Sequence, residues 1–313
     1  MLGIPLDILV LVLAVLLDLA AGELPARFHP TVWIGKTIAW AEKLAPRKAG
    51  GQLAFGVLIV LLIPGIWAAA AYFAAQGLQS IHDLAYILGG AVLFKSTFAV
   101  RMLHRAASKV RALLLQGDIA QARANLPALV SRDVSTLTPQ QATAAAVESV
   151  SENVTDSFIG PWLAFALFGL PGAVAYRAIN TLDSMIGYHG KYEYLGKASA
   201  RLDDLVNLVP ARLTALLLVF SSALLPGQRA ASAWRIMWRD HARTESPNAG
   251  WTMSGMAGAL GVELEKVGHY RLGDRTRPLE PKDISRAIQT MYLVAGLGLS
   301  IAVGVIFLRH GLF

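Results

Sequence analysis

The sequence predicts an all-α, polytopic integral membrane protein with about four to six membrane segments, some of them broken or re-entrant, joined by cytoplasmic helical connections. Three observations carry this prediction. Of 313 residues, 55% are hydrophobic and only 16% charged, more apolar side chains than a soluble core uses. Several apolar runs approach the roughly 17 to 25 residues that a helix needs to cross a bilayer. No strand-like alternation of apolar and polar residues stands out along the chain.

The first apolar run is 3–21. No basic region precedes it and it contains Asp7 and Asp18, so it reads as a retained helix and not as a cleaved signal peptide. The runs 53–75 and 84–100 follow, and 290–308 is a fourth crossing, in which Gly296 and Ser300 form a small-residue pair suited to close helix packing. Two further stretches are irregular. FIGPWLAFALFGLPGAVAY (158–176) carries Pro161, Gly169, Pro171 and Gly172, and LVNLVPARLTALLLVFSSALL (205–225) carries Asn207, Pro210 and Arg212. Irregular backbone at membrane depth is tolerated only where protein or a wet cavity satisfies it, so both stretches are expected to be broken or re-entrant. Arg212 is then either a functional intramembrane group or a snorkelling residue near a helix end.

Residues 101–157 and 227–289 read as cytoplasmic connections within a single membrane-embedded domain, 1–313. In the first, an amphipathic run reaches Leu115, and Thr138 with Pro139 supplies the cap and first turn of a later helix. The net charge of +7 is unevenly placed: residues 22–50 hold five Lys or Arg and 227–289 hold ten, whereas 76–82 hold none. The positive-inside rule puts the basic connections in the cytoplasm and the short turn outside, as expected of a multi-pass protein of the cell (inner) membrane. No basic stripe is interleaved with aromatic residues, so nucleic acid is not an expected partner. The absence of cysteine excludes disulfides, thiolate metal sites and a cysteine nucleophile, leaving oxygen ligands and histidine.

Against this background the stretch ESVSENVTDSF is conspicuous. On a helix, Glu148, Glu152 and Asp156 fall within about 80° of one another, and like charges one turn apart repel by a few tenths of a kcal/mol per pair. The row is either a solvated acidic face or a site for a divalent cation such as Mg²⁺. A second group lies in 178–212: Lys197 and Arg201 are one turn apart, Asp204 follows on the same side, Asp203 and Asn207 form a neighbouring face, and Asn180, Asp183 and Tyr188 precede them. It suits phosphate and metal, or a structural network of ion pairs. LGKAS does not complete a phosphate loop, because Ala198 stands where a Ser or Thr is needed. A third group is RDHARTESPNAGW, in which Ser246 to Gly250 form a turn. That turn either caps the next helix or, with Arg239, Asp240, His241 and Arg243 just upstream, meets a ligand.

Taken in order, D-x3-GELPARFHPTVWIG, ESVSENVTDSFIGP, YRAINTLDSMIGY, YLGKASARLDDLVNLVPARLTA and RDHARTESPNAGW resemble the adenosylcobinamide-phosphate synthases, the CobD/CbiB family of cobalamin-biosynthesis membrane enzymes, from about residue 18 to 275. Gly22-Glu23-Leu24-Pro25 stands where that family usually has Gly-Asp-Pro. The resemblance implies a ligase that joins the free propionate carboxyl of adenosylcobyric acid to aminopropanol phosphate, or a related amino alcohol, at the expense of ATP and through an acyl phosphate. It also implies roles for named residues. Glu148, Glu152 and Asp156 hold Mg²⁺, with Asp183 or Asp204 as a further ligand, and Lys197 and Arg201 meet the phosphates of ATP or of the acyl phosphate. Asn180, Tyr188, Arg239, Asp240, Ser246 and Asn248 contact substrate, as does His29, the corrinoid bringing its own cobalt. The implied partners are the corrinoid, the amino alcohol phosphate, the bilayer and other late membrane enzymes of the pathway, with the active site facing the cytoplasm. The alternative is a non-catalytic polytopic protein, a transporter or an AmpE-like sensor.

Overall fold

A computed structural model describes residues 4–188 and 190–312. The helices are α1 Leu6–Ala21, α2 Pro30–Lys43, α3 Ala49–Ile81, α4 Asp83–Lys95, α5 Val100–Leu115, α6 Ile119–Asn125, α7 Pro139–Val154, α8 Gly160–Ile186, α9 Lys197–Val206, α10 Leu208–Leu224, α11 Ala230–Asp240, α12 Ala249–Leu260 and α13 Lys282–Leu312. An antiparallel hairpin of β1 Glu263–Lys266 and β2 Tyr270–Gly273 separates the last two helices.

Among the described residues four helical stretches are long and apolar enough to cross a membrane: Ala49–Ile81, Asp83–Leu115, Pro139–Ile186 and Lys282–Gly311. A fifth is added if α9 and α10 count as one interrupted span. The runs expected at 53–75, 84–100 and 290–308 lie within these stretches. The run at 3–21 differs: α1 has 16 residues, which at a rise of 1.5 Å per residue is about 24 Å, short of a hydrocarbon core of about 30 Å. Gly22, at φ 79°, ends it.

Both irregular stretches are interrupted as expected. Within α8, Gly169 takes φ 67° and ψ −158°, a conformation that side chains disfavour, and Pro171 follows at once. The second stretch is divided at Asn207. Two other irregularities have no Gly or Pro inside them. The chain leaves the helix at 96–99, and Thr155–Ile159 form a π-turn between α7 and α8. The start of α7 agrees with its sequence signal, since Thr138 accepts from the N–H of Gln141 while the Gln141 side chain accepts from the N–H of Thr138. The described residues are almost wholly helical, as the sequence predicts, and the hairpin is the exception. Its strands have four residues each, too few for alternation to register, but Leu264 and Leu272 pair across it and are buried.

The chain divides into two compact units. One consists of the chain up to Ala99, Gly160–Asn207 and the chain from Leu299 on, and the other of Val100–Ile159 and Leu208–Gly298. In the first, Ile34 and Ile38 of α2, Ile59 and Ile63 of α3, and Leu182 and Ile186 of α8 share one apolar cluster. In the second, α12 is buried from Gly250 to Leu260 and packs against α7, α10 and α11. Its small residues permit that approach: a Cβ on Gly258 would stand 2.6 Å from the carbonyl oxygen of Ser232 and 2.8 Å from the Cα of Ala233.

Because both obstacles are backbone, Gly258→Ala is expected to destabilise the protein by about 1–3 kcal/mol, the usual cost of overpacking. A thermal melt in detergent reads this directly; an unchanged midpoint would mean that α11 and α12 can separate without loss.

Candidate functional site

In the first unit the polar groups converge on the end of α4. The side chain of Lys95 is 2% exposed, and its ammonium lies 3.0 Å from Asp18 Oδ1, 3.0 Å from Glu23 Oε1 and 3.2 Å from the carbonyl of Phe98. Asp18 is fully buried. The second oxygen of Glu23 is 2.9 Å from His29 Nε2. Burial pushes the Glu23 carboxyl up, but the hydrogen bond with His29 and the charge of Lys95 hold it below its ordinary value.

A second arm leaves the same break. Arg177 Nε donates to the carbonyl of Thr97 at 2.5 Å and its Nη1 to Asn180 Oδ1 at 3.1 Å. Asn180 Nδ2 donates to Asp203 Oδ1 at 3.4 Å, Asn207 Nδ2 donates to Asp203 Oδ2 at 3.0 Å, and the Tyr176 hydroxyl donates to Asn207 Oδ1 at 2.6 Å. Of the residues nominated from sequence, His29 and Asn180 therefore sit inside one network. Asp183 and Asp204 are half-buried beside it in sequence, and the charge of Asp204 acts on Asp203. Lys197 and Arg201 are exposed on α9, and neither has a hydrogen bond or ion pair among the described residues. Tyr188 is exposed.

In the second unit the acidic row begins in regular helix and ends in the π-turn, where Asp156 lies. Glu148 is 4% exposed; Arg132 Nη2 donates to its Oε2 at 3.0 Å, and the Tyr270 phenol and the charge of Lys266 also act on its carboxylate. Glu152 and Asp156 are half-buried. The hairpin brings Tyr270 to the row: burial first, and then the charges of Glu148 and Glu152, push its phenol well above the ordinary range. The cation that three like charges call for is thus supplied in part by Arg132. Among the described residues no three Asp, Glu or His side chains form a ready-made metal cage.

The SPNAG turn does more than cap. The Asn248 side chain makes no capping bond to α12; its Oδ1 accepts from Arg212 Nη1 at 3.0 Å. Arg212 also donates to the carbonyl of Leu208 at 2.9 Å and lies 5.0 Å from the centre of the Trp251 ring, so its half-buried guanidinium is held among groups of this unit. Ser246 Oγ accepts from the N–H of Asn248 at 3.2 Å. Arg239 and Asp240 are bound to one another through two contacts of 2.7 and 2.8 Å. Asp240 is fully buried and also accepts from the N–H of Gly273 at 2.8 Å. Burial raises its carboxyl, but the Arg239 fork and that N–H keep it below its usual value. This pair fastens α11 to the hairpin. A polar cleft of about 200 Å³, lined among others by Thr138, Gln141, Glu263, Arg275 and Arg277, holds none of the nominated residues.

Sequence reasoning missed Lys95, Asp18, Arg177, Tyr176 and Arg132 as members of these networks. For Lys95 a signal existed: it is the one charged residue in the run 84–100, and an intramembrane charge marks a functional candidate by default.

Residues 11–291 match the family model described as CobD/Cbib protein. The chain is 46% identical to cobalamin biosynthesis protein CobD of Dehalococcoides mccartyi, over 96% of this chain and 97% of that protein. It is 38% identical to the probable cobalamin biosynthesis protein CobD of Methanothermobacter thermautotrophicus (96% and 98% covered) and 38% identical to cobalamin biosynthesis protein CbiB of Salmonella typhimurium (95% and 97%). No solved structure matches.

Removing one partner of a buried ion pair costs about 3–5 kcal/mol, because the other charge is stranded. Lys95→Met is therefore expected to lower the melting midpoint sharply, and the double variant Asp18→Asn with Lys95→Met to recover part of the loss. If the single variant melts like the wild type, the pair is not holding α1 to α4.

Proposed function

Since the chain belongs to the CobD/CbiB family of cobalamin-biosynthesis proteins, we propose that it is an adenosylcobinamide-phosphate synthase. It is an ATP-dependent, amide-forming ligase that joins the free propionate carboxyl of adenosylcobyric acid to aminopropanol phosphate or a related amino alcohol. The observation that carries this reading is the match over residues 11–291, which contains all five sequence motifs.

The reaction has two steps. A carboxylate oxygen of the substrate takes the γ-phosphoryl group of ATP, giving ADP and an acyl phosphate. The amine nitrogen then attacks the acyl carbon, loses its proton and expels phosphate. Both steps concentrate negative charge, so fixed cations and a metal ion are the expected catalytic means. Lys197 and Arg201 suit the cationic part: they are exposed, one turn apart, and their hydrogen-bonding capacity is not taken up within the protein. Asp183 and Asp204 are half-buried carboxylates of the same segment. Magnesium ordinarily uses one or two carboxylates, substrate oxygens and water, and the half-buried Glu152 and Asp156, with Glu148 one turn before them, fit such a partial ligand set better than a complete cage. When bound, the ion supplies charge that offsets developing oxyanions. Arg212, aimed by Asn248, is a candidate to contact an anionic substrate group, with Ser246 shaping the turn. His29 and Tyr188 are assigned to corrinoid contacts, and we place the active groups on the cytoplasmic side of the cell membrane, where ATP is.

The deciding assay is ATP-dependent consumption of adenosylcobyric acid with aminopropanol phosphate by the purified protein. Failure of the folded protein to bind ATP with magnesium would instead favour a non-catalytic sensor or transporter. Given activity, Glu152→Gln is expected to raise the magnesium concentration for half-maximal rate. An unaltered magnesium curve with a slightly higher melting point would leave the row a surface feature. Asn248→Ala is expected to lower the rate by about tenfold or more, the size of one lost charge-assisted hydrogen bond, and to lower the melting midpoint as well, because Arg212 loses a buried acceptor; an unchanged rate would leave the turn a purely structural role. A single cysteine at Tyr194 is expected to resist an impermeant thiol reagent in intact cells and to react in inverted vesicles; the reverse pattern would place the 191–201 segment outside.

A further inference from the structure

The outward face of α2 has no role in the reading above. Its inward face is apolar, with Ile34, Ile38 and Ala41 buried against α3 and α8. On the opposite side, at helical spacing, stand Trp33, Lys36, Trp40 and Lys43, the two indoles 40% and 63% exposed. Large aromatic side chains left uncovered in this way mark an interaction surface. Both ammonium groups are exposed; Lys43 acts electrostatically on Glu42, and Lys36 has no side-chain partner among the described residues.

The charge around this face has one sign. Residues 22–50 contain five Lys or Arg and only two acids, Glu23 and Glu42. Glu23 is engaged by Lys95 and His29, and Glu42 by Lys191 and Tyr192. The face is also continuous with a spanning helix, because α3 begins six residues after α2 ends and is apolar enough to cross a bilayer. An aromatic ring set beside a long cationic side chain is the pairing that rests at the boundary between acyl chains and headgroups, with the indole in the boundary and the ammonium reaching the phosphates. α11 presents Trp234 and Trp238 in a similar way, but Arg235 and Arg239 on that helix are bound to Asp274, so its cations are already answered.

We propose that α2 lies in the plane of the membrane surface and docks on anionic lipid headgroups through Trp33, Lys36, Trp40 and Lys43. This goes beyond the ligase reading and does not depend on it. The test uses the full-length protein in vesicles containing phosphatidylglycerol brominated near the headgroup, with phosphatidylcholine of the same bromination as comparison. The double variant Trp33→Phe with Trp40→Phe is expected to lose quenching relative to the wild type, and Lys36→Gln with Lys43→Gln to remove the excess of quenching in the anionic vesicles. Equal quenching in wild type and Trp variant would overturn the proposal. So would loss of quenching by aqueous iodide in the Trp variant, which would show the face in water. Protection of these indoles from iodide by an added corrinoid would also overturn it, because the face would then belong to a substrate. Melting midpoints of both variants near the wild-type value confirm that the comparison is between folded proteins.

Discussion

A backbone carbonyl that leaves its helix inside an apolar unit must find a donor, and in the first unit much of the polar architecture follows from three such carbonyls in a row. Ser96 accepts from the Thr31 hydroxyl at 2.6 Å, Thr97 from Arg177, and Phe98 from Lys95. Each unmade bond there would cost about 1–3 kcal/mol. Each donor then imposes its own requirement. The ammonium of Lys95 cannot be buried alone and is met by Asp18 and Glu23, while the guanidinium of Arg177 is oriented by Asn180, which reaches Asp203. One break in α4–α5 thus fixes side chains from α1, α2, α8 and α9.

The second unit is ordered by charged side chains and not by freed carbonyls, since Leu208 opens α10 and its carbonyl belongs to that helix. Division of the chain at Asn207 is followed by Arg212 donating back to Leu208, and the remaining donor capacity of Arg212 orders Asn248 and with it the SPNAG turn. The hairpin is tied down through a buried carboxylate: Asp240 binds Arg239 and the N–H of Gly273 together. That anchoring brings Tyr270 to Glu148 and Glu152. A motif that looks like chemistry in the sequence, RDHAR, therefore contains a structural fastening, and the adjacent SPNAG contains the group that still points at a partner side chain.

What was legible in the sequence was whatever has a local cause. Spans follow from composition, the kink at Gly169 follows from the needs of a positive φ, and the cap at Thr138 follows from a side chain three residues from its acceptor. The break at 96–99 has no Gly or Pro and was read as continuous helix, because its causes lie 65 residues away at Thr31 and 80 at Arg177. The kinds of residue in the networks were legible too, since Asn180, Glu148 and Asn248 were singled out. Their partners were not: nothing local in the sequence pairs Arg132 with Glu148, or Arg212 with Asn248.

Charged groups in this protein fall into two kinds, and the division bears on chemistry. Arg239, Asp240 and Lys95 are engaged by neighbouring side chains and by backbone, and a ligand would have to displace an existing bond to use them. Lys197 and Arg201 keep their side-chain donors, and Glu148 stands buried at the head of a row whose other members are only half-covered. Arg132, Lys266 and the Tyr270 phenol all act on Glu148, so its charge is compensated within the folded chain, whereas Glu152 and Asp156 further along the row are only half-covered. Burial of Glu148 at the head of the row argues against a wholly solvated face, which the spacing of the carboxylates alone describes equally well.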